Sequence, residues 1–248
     1  MNRKKITALL LSSVMALTPA MPAMAEQSTV IDYVDGTVDG TVETPDVTPT
    51  PTPEVKNGWE TVNGVKYYYE DGKKVTNKAK KIGKYIYCFD KNGKLVTNKP
   101  YYKVNAQTYY KIKKNGQATK LSTVETMAAI RLQKCKGNLK TAFNWSASLK
   151  YAGNIKISKK TPTEYGLYGF RTGSGDCYVM AATFYWMAKV AGYDAHYVKG
   201  YFQKSGGRKG AHAWVEIDQK VGGKTKTYVY DPNFQQEYEL NGYKLTYG

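Results

Sequence analysis

The spacing of hydrophobic and polar positions changes along the chain and divides it into regions of different character. Residues 26–56 show no apolar periodicity and close on alternating threonine and proline, a composition that favours an extended, unpacked chain. Residues 57–120 contain short aromatic segments separated by glycine. From residue 121 onward, helical spacing is followed by strand-like alternation. We therefore expect a disordered Thr/Pro-rich linker (26–56), a β-hairpin region (57–120) and a further domain (121–248).

The aromatic region contains an internal repeat. Asp71–Asn77 recurs 21 residues later as Asn92–Asn98, and a more divergent third copy places two tyrosines before Asn115–Gln117. An aromatic strand, a D-G or N-G turn and a second short strand form the pattern of a β-hairpin. Because one hairpin buries too little surface to be stable alone, we expect the units to stack on each other.

The last region predicts helices first and strands afterwards. Ser122 and Glu125 fit a capping box at the start of a helix. The elements predicted from there are a helix with Met127, Ile130, Leu132 and Cys135 on its apolar face, a helix over 139–151, a loop over 162–175, a helix over 177–190, and strands over 195–202, 211–217 and 225–231. This order predicts an α+β domain with an antiparallel sheet.

The N-terminus has the features of a secretory signal peptide over residues 1–25. A basic start precedes the apolar stretch Ile6–Leu17, and Ala23-Met24-Ala25 provides a cleavage site before Glu26. A membrane anchor is the alternative, but the apolar stretch is shorter than the roughly 20 residues that a spanning helix needs. We therefore expect secretion, with no transmembrane segment in the mature chain.

The charge indicates a polyanionic partner. The chain has a formal net charge of +17, and removal of the three basic residues before Ile6 leaves 17 − 3 = +14. For an exported bacterial protein, such a charge favours cell-wall polymers or other surface polyanions. No nucleic-acid-binding motif accompanies the charge, so no nucleic acid is expected. Simple solubility is the alternative explanation.

The three cysteines are Cys88, Cys135 and Cys177, and an odd number leaves at least one free thiol in a monomer. Whether Cys88 pairs with Cys135 stays open at the level of sequence. Cys177 opens the longest apolar helix, after a glycine-rich approach. A helix N-terminus favours thiolate over thiol, which makes Cys177 a candidate nucleophile. The alternative is a buried structural cysteine.

Histidine is scarce, and His212 is the better candidate for a catalytic base. It begins an alternating strand, and Trp214 lies on the same strand face, where it would shield the imidazole from water. Asp231 ends the next predicted strand, and its carboxylate would accept a hydrogen bond from one imidazole nitrogen. His196 is interpreted as structural. Taken singly, a strand histidine and an Asp-Pro turn are common structural features.

The order of these residues resembles the transglutaminase-like superfamily, whose fold is related to that of papain-like cysteine proteases. The resemblance covers about 121–238 and rests on Gly175-Asp176-Cys177, His212-Ala213-Trp214 and Asp231-Pro232. It implies that Cys177 attacks an amide carbonyl, that His212 transfers the proton and that Asp231 orients His212. Trp145, or a polar group of the 162–175 segment, would supply a second oxyanion donor. No cofactor or metal is expected, and calcium in particular is not implied, because no loop offers clustered carboxylates.

The implied function is that of a cysteine-dependent amide acyl-transfer enzyme with a thioester intermediate. Hydrolysis by a peptidase or amidase is slightly favoured over cross-linking by a transglutaminase, because water needs no second binding site. Peptide or protein amides of the bacterial surface are the expected substrates. The alternative is a non-catalytic wall-binding surface protein that uses the domain as a scaffold.

The repeats resemble cell-wall-binding repeats of the choline-binding type. The resemblance rests on Gly58–Tyr69 and Tyr87–Gly93. In that family, aromatic residues of adjacent repeats enclose quaternary ammonium groups. Within these repeats Trp59 is the only tryptophan, and the second unit opens with Lys80-Lys81-Ile82-Gly83 instead of Gly-Trp. The resemblance implies a secreted, wall-associated protein of a Gram-positive-type bacterium, with a purely structural role of the repeats as the alternative.

Overall fold

The structure is a computed structural model, and it describes residues 55–203 and 209–246. The predicted signal peptide and all but the last two residues of the predicted linker lie outside the described residues. Among the described helices, none combines the length and apolar character that a membrane crossing requires.

The aromatic region forms antiparallel hairpins, as predicted. The first sheet contains β1 (Gly58–Val62), β2 (Val65–Glu70) and β3 (Lys73–Lys74) in that order. The second sheet contains β4 (Lys78–Ile82), β5 (Tyr85–Phe89), β6 (Lys99–Asn105), β7 (Thr108–Ile112) and β8 (Gln117–Lys120), in the order β4-β5-β8-β7-β6. At the turn after β2, Asp71 and Gly72 have φ angles of 49° and 74°. Two positive φ angles in succession suit a tight hairpin turn, which explains the D-G signal.

The part of the chain that the structure describes also contains five helices. They are α1 (Thr123–Lys134), α2 (Leu139–Ala147), α3 (Pro162–Thr172), α4 (Cys177–Ala191) and α5 (Pro232–Tyr238). The predicted capping box begins α1, where the Ser122 N–H donates to the Glu125 carboxylate at 2.8 Å. The prediction of a loop over 162–175 is wrong. Thr161 caps α3 by accepting from the Glu164 N–H, and Pro162 occupies the first turn, where its missing N–H costs nothing.

The second predicted helix is shorter than expected. Helix α2 ends at Ala147, and the last two residues of the predicted helix form the short strand β9 (Lys150–Tyr151). Strand β9 pairs in parallel with β10 (Ser174–Gly175), so that Tyr151 lies opposite Gly175. The pairing brings the segment after α2 beside the segment that leads into α4.

The three predicted C-terminal strands form one antiparallel sheet. It contains β11 (Asp194–Gln203), β12 (Lys209–Val221) and β13 (Lys224–Tyr230) in that order. Ala213, Val215 and Ile217 of β12 alternate into a core that also contains Phe143 of α2 and Phe184 of α4. Helix α4 is therefore packed on the inner face of the sheet. The α+β class of the domain is confirmed.

The hairpins share a core with the helices. Tyr109 of β7 is 1% exposed and belongs to a cluster with Leu121, Leu132 and Met187. Its hydroxyl donates to the Gln133 side-chain oxygen at 2.9 Å. The boundary between residues 120 and 121 stays a prediction of the sequence.

Candidate active site

Cys177 is the first residue of α4, as predicted, and it is half-buried. The segment that leads into α4 requires glycine at position 175, because a Cβ there would lie 2.3 Å from the Cβ of Val179. Only a residue without a side chain lets β10 pass this close to the first turn of α4. The position of Cys177 therefore depends on the glycine two residues before it.

Asp176 is the N-cap of α4. Its carboxylate accepts a hydrogen bond from the Val179 N–H at 3.1 Å. Burial raises the pKa of Asp176, and hydrogen bonds from the backbone N–H groups of Val179 and Tyr178 oppose that rise. Asp176 thus engages N–H groups of the first turn, whereas the Cys177 N–H has no acceptor among the described residues.

His212 lies in β12 between two aromatic rings. Its ring centroid is 5.2 Å from that of Phe202 and 6.2 Å from that of Trp214, and the residue is 6% exposed. The shielding predicted for Trp214 is therefore present. Gly200 provides the room, since a Cβ there would lie 2.5 Å from the Trp214 ring.

One hydrogen bond joins two of the three predicted site residues, and the third lies close to them. His212 Nε2 lies 2.7 Å from Asp231 Oδ2, and Cys177 is near enough to the His212 ring to help raise its pKa. Since Nε2 is engaged by Asp231, Nδ1 is the ring nitrogen left for the sulfur. Burial lowers the pKa of His212, but its contacts with Asp231 and Cys177 outweigh burial and raise the pKa to about 9. Near neutral pH, the geometry favours an imidazolium beside the sulfur.

Asp231 has a second role, as the N-cap of α5. Its Oδ1 atom accepts from the Phe234 N–H at 2.9 Å while Oδ2 contacts His212. The two oxygens are thus fixed by two different partners. Asp231 thus begins the turn and helix that follow it, as an Asp-Pro sequence commonly does, and it also contacts His212.

A cavity of about 160 Å³ lies beside His212 and Asp231. The other residues that line it are Phe202, Asn233, Phe234, Glu237 and Tyr238. Three aromatic rings form apolar walls, and the Glu237 carboxylate adds one acidic group. The cavity offers room for a substrate side chain next to the imidazole, which the sequence did not indicate.

Tyr151 lies beside the segment that leads to the nucleophile, a position that the sequence did not reveal. In the β9–β10 pair it is opposite Gly175, and Gly175 is two residues before Cys177; the Tyr151 side chain is exposed. Trp145, the predicted oxyanion donor, instead stacks on Phe170 with ring centroids 5.8 Å apart, and the Arg131 guanidinium lies 4.1 Å from its ring. These contacts place Trp145 in the packing between helices.

The remaining cysteines are free thiols. Cys88 and Cys135 are both buried and unpaired, which answers the question of a disulfide that the sequence left open. Burial raises the pKa of Cys88 to about 12, and burial also raises that of Cys135. Of the three cysteines, Cys177 alone is not fully buried.

Asp194, His196 and Asp218 form the one group among the described residues whose side-chain atoms are arranged to hold a metal ion. His196 Nε2 lies 3.5 Å from Asp194 Oδ1 and 3.8 Å from Asp218 Oδ2. The strand register brings them together, because Asp194 lies opposite Asp218. Asp194 and His196 are exposed and Asp218 is half-buried, and the group shares no residue with the site of Cys177, His212 and Asp231.

Comparison with known proteins gives a family match over part of the chain. The family model of the transglutaminase-like superfamily matches residues 132–223, which include Cys177 and His212. The match supports a cysteine-dependent enzyme in general. No curated protein matches the chain.

Several solved structures show partial similarity to the chain. A candidate cysteine protease from Cytophaga hutchinsonii has 14% identity and a TM-score of 0.35, over 45% of this chain and 38% of that one. The periplasmic domain of TgpA from Pseudomonas aeruginosa has 21% identity and a TM-score of 0.33, over 47% and 45%. A choline binding domain from Streptococcus pneumoniae has 23% identity and a TM-score of 0.24, over 26% and 84%. The chain thus spans less than half the length of the Cytophaga hutchinsonii and Pseudomonas aeruginosa structures.

Proposed function

We propose that the transglutaminase-like domain of this chain is a cysteine-dependent amide acyl-transfer enzyme, with Cys177 as nucleophile, His212 as general acid and base, and Asp231 as the orienting carboxylate. The observation that carries the proposal is the 2.7 Å hydrogen bond between His212 and Asp231, with Cys177 close enough to the same ring to help raise the pKa of His212. A nucleophile within reach of a base that a third group orients is the arrangement that activates a thiol.

The reaction begins when the Cys177 sulfur attacks the amide carbonyl carbon. As the C–N bond breaks, the His212 imidazolium gives its proton to the departing amine nitrogen, and a thioester remains on Cys177. Neutral His212 then takes a proton from water, the resulting hydroxide attacks the thioester carbonyl, and Cys177 leaves as a thiolate. The products are an amine and a carboxylic acid, and His212 is again protonated.

Two donors are proposed for the developing oxyanion. One is the Cys177 N–H at the N-terminus of α4, where the helix dipole also favours negative charge. The other is the Tyr151 hydroxyl, which β9 carries to the segment before the nucleophile. Tyr151 replaces Trp145 in this role, because the Trp145 ring is engaged by Phe170 and Arg131.

Hydrolysis is the preferred outcome, with the peptide or protein amides of the bacterial surface as substrates. Water needs no site of its own, whereas cross-linking needs a bound amine. The cavity beside His212, with its aromatic walls, offers a place for one substrate side chain. The predicted signal peptide over 1–25 and the basic charge of the chain support secretion and association with the wall.

A non-catalytic wall-binding surface protein is the second candidate. It is supported by an exposed aromatic group in the repeats, where Trp59 is 43% exposed and contacts Tyr68 and Tyr87 with ring centroids 5.2 and 5.0 Å apart. In that case the α+β domain would act as a scaffold, and Cys177 would react no faster than a denatured thiol.

Trapping the acyl-enzyme tests the proposal directly. The full chain is mixed with wall peptides and a glutamine-rich protein, quenched in acid and analysed by intact mass, with and without added lysine. We expect an acyl adduct on Cys177 that is absent in Cys177→Ala, and a free acid as the main product even when lysine is present. An amide with lysine as the main product would contradict hydrolysis. No adduct together with slow alkylation of Cys177 would establish the scaffold.

A further inference from the structure

Three lysines of the hairpin region line one groove. Lys66 follows the turn at Gly64, Lys94 follows the turn at Gly93, and Lys114 precedes the turn at Gly116. The groove has a volume of about 460 Å³. The other residues that line it are Gly64, Val65, Leu95, Thr97 and Asn115. Successive units of the repeat therefore contribute to a single surface.

The close stacking of the turns fixes this arrangement. The Leu95 N–H donates to the Lys66 carbonyl at 2.9 Å, which joins the second unit to the first. A Cβ on Gly116 would lie 2.9 Å from a terminal carbon of Leu95, so the third turn rests on the same leucine. Because each turn contacts the unit before it, the three lysines are held on one side of the stack.

The charges of these lysines are not neutralised. Lys66, Lys94 and Lys114 are exposed and have no ion pair or aromatic partner within 55–203 and 209–246. Other lysines of the region are engaged, since Lys56 pairs with Glu60 and Lys80 with Glu70. Residues 55–120 contain 16 lysines, no arginine and 4 acidic residues, a net charge of 16 − 4 = +12. No acidic residue is among those that line the groove.

The groove also has an apolar floor and neutral donors. Val65 and Leu95 are half-buried between the lysines, while Thr97 contributes a hydroxyl and Asn115 an amide. Asn115 accepts from the Gln117 N–H through its side-chain oxygen, which leaves the amide nitrogen to donate. Cations separated by apolar and hydroxyl-binding surface suit a chain that alternates anionic groups with hydroxylated carbon segments.

We propose that this groove binds an anionic polymer with phosphate groups repeated along a hydroxylated chain. The ammonium groups contact successive phosphates, and the floor contacts the carbon segments between them. The surface is separate from the aromatic group around Trp59, and it gives the wall association under the proposed function a specific polymer contact. Lysine provides compact point charges without the planar geometry of arginine. We therefore expect the groove to select a polymer by the spacing of its charges more than by the shape of each anion.

Binding of a poly(glycerol phosphate) oligomer to the full chain tests this proposal. The groove variant carries Lys66→Gln, Lys94→Gln and Lys114→Gln. The matched control carries Lys81→Gln, Lys103→Gln and Lys111→Gln, three exposed lysines of the same region without ion pairs. Both lose three charges. By titration calorimetry near physiological salt, we expect the groove variant to bind about tenfold or more weakly and the control within about twofold of the unchanged chain.

Two further ligands identify the source of binding. Polygalacturonate presents carboxylates instead of phosphates, and double-stranded DNA presents phosphates in a rigid duplex. The proposal is supported if the groove variant loses affinity for the glycerol phosphate polymer and not for the other two ligands. Equal weakening of polymer binding in both variants, or equally tight binding of DNA, would overturn it. The rate of Cys177 alkylation in the groove variant should match that of the unchanged chain. An inert Cys177 would contradict the proposed enzyme while leaving the polymer measurement intact.

Discussion

Under the proposed function, the side chain of Asp231 links catalysis to local structure through its two oxygens. Oδ2 contacts His212 Nε2, and Oδ1 caps α5 by accepting from the Phe234 N–H. Asparagine keeps a capping oxygen and removes the charge, whereas alanine removes both functions. The two substitutions therefore separate the chemical role of this residue from its structural role.

Asp231→Asn is expected to reduce kcat/KM by about 10²–10⁴-fold, because His212 loses the carboxylate that orients it and stabilises its charged form. The melting temperature should change little, since the cap of α5 is retained. Asp231→Ala should lower activity and also destabilise the fold by about 1 kcal/mol. Peptidase kinetics and thermal melts of the two variants check this. Full activity in Asp231→Asn would rule out the orienting role.

The raised pKa of His212 predicts a dependence of stability on pH. In the folded chain the pKa is about 9, above the ordinary value of 6.5. The folded chain therefore binds the proton on His212 more tightly than the unfolded chain does. This contribution is fully present below pH 6.5 and is lost as the pH rises through about 9, with an upper limit of about 3 kcal/mol.

Urea unfolding at pH 6, 7.5 and 9.5 measures that dependence. The unfolding free energy of the unchanged chain should fall across this range more steeply than that of His212→Ala. Parallel curves for the two proteins would show that the imidazole is not held in its charged form.

At the scale of elements, the start of α4 depends on the segment before it. Gly175 is needed because a Cβ would lie 2.3 Å from Val179, whereas a Cβ on Gly173, which has a φ of 67°, would meet no atom within 4 Å. The same change, glycine to alanine, therefore meets a steric obstacle at one position and only backbone strain at the other.

Gly175→Ala is expected to lower the unfolding free energy by about 1–3 kcal/mol and to slow alkylation of Cys177, because the first turn of α4 must shift. Gly173→Ala should cost about 1–2 kcal/mol through its left-handed backbone and leave alkylation unchanged. Denaturant titration and iodoacetamide kinetics distinguish the two. Equal alkylation rates in both variants would show that Gly175 does not position the nucleophile.

The sequence predicts the elements better than the contacts between them. Spacing and capping signals identified α1, α4 and the C-terminal strands, because these signals are local. Helix α3 was missed although Thr161, Pro162 and Glu164 mark its start, since its glycines and tyrosines favoured a loop. The position of Tyr151 and the contact between Asp194 and Asp218 depend on strand register, which local signals do not determine.

The proposed site residues were chosen from the sequence for a related reason. Cys177 begins α4, His212 lies in the first part of β12 and Asp231 directly follows β13, so each is marked by the local signal of an element. Their roles stay a proposal. The cavity beside His212 was not predictable, because Phe202 and Phe234 come from separate elements that only the tertiary fold brings together. Convergence of the three site residues follows from packing α4 against the sheet.

At the scale of the whole molecule, the hairpins and the α+β domain depend on each other through Tyr109. Its ring is 1% exposed among residues of α1 and α4, and its hydroxyl donates to Gln133. A chain that begins at Leu121 would leave this part of the core open to water. A chain that begins at Lys99 retains β6, β7 and β8 and keeps the tyrosine in place.

We therefore expect residues 99–248 to fold and residues 121–248 to be unstable or aggregate, with residues 55–248 as the control. In the control background, Tyr109→Ala should lower the unfolding free energy by about 3–5 kcal/mol, whereas Tyr109→Phe, which loses only the hydrogen bond to Gln133, should cost about 1 kcal/mol. Circular dichroism melts and limited proteolysis measure these differences. If residues 121–248 unfold cooperatively at the same temperature as the control, the α+β domain forms its core without the hairpins. The repeats could then be exchanged without affecting Cys177.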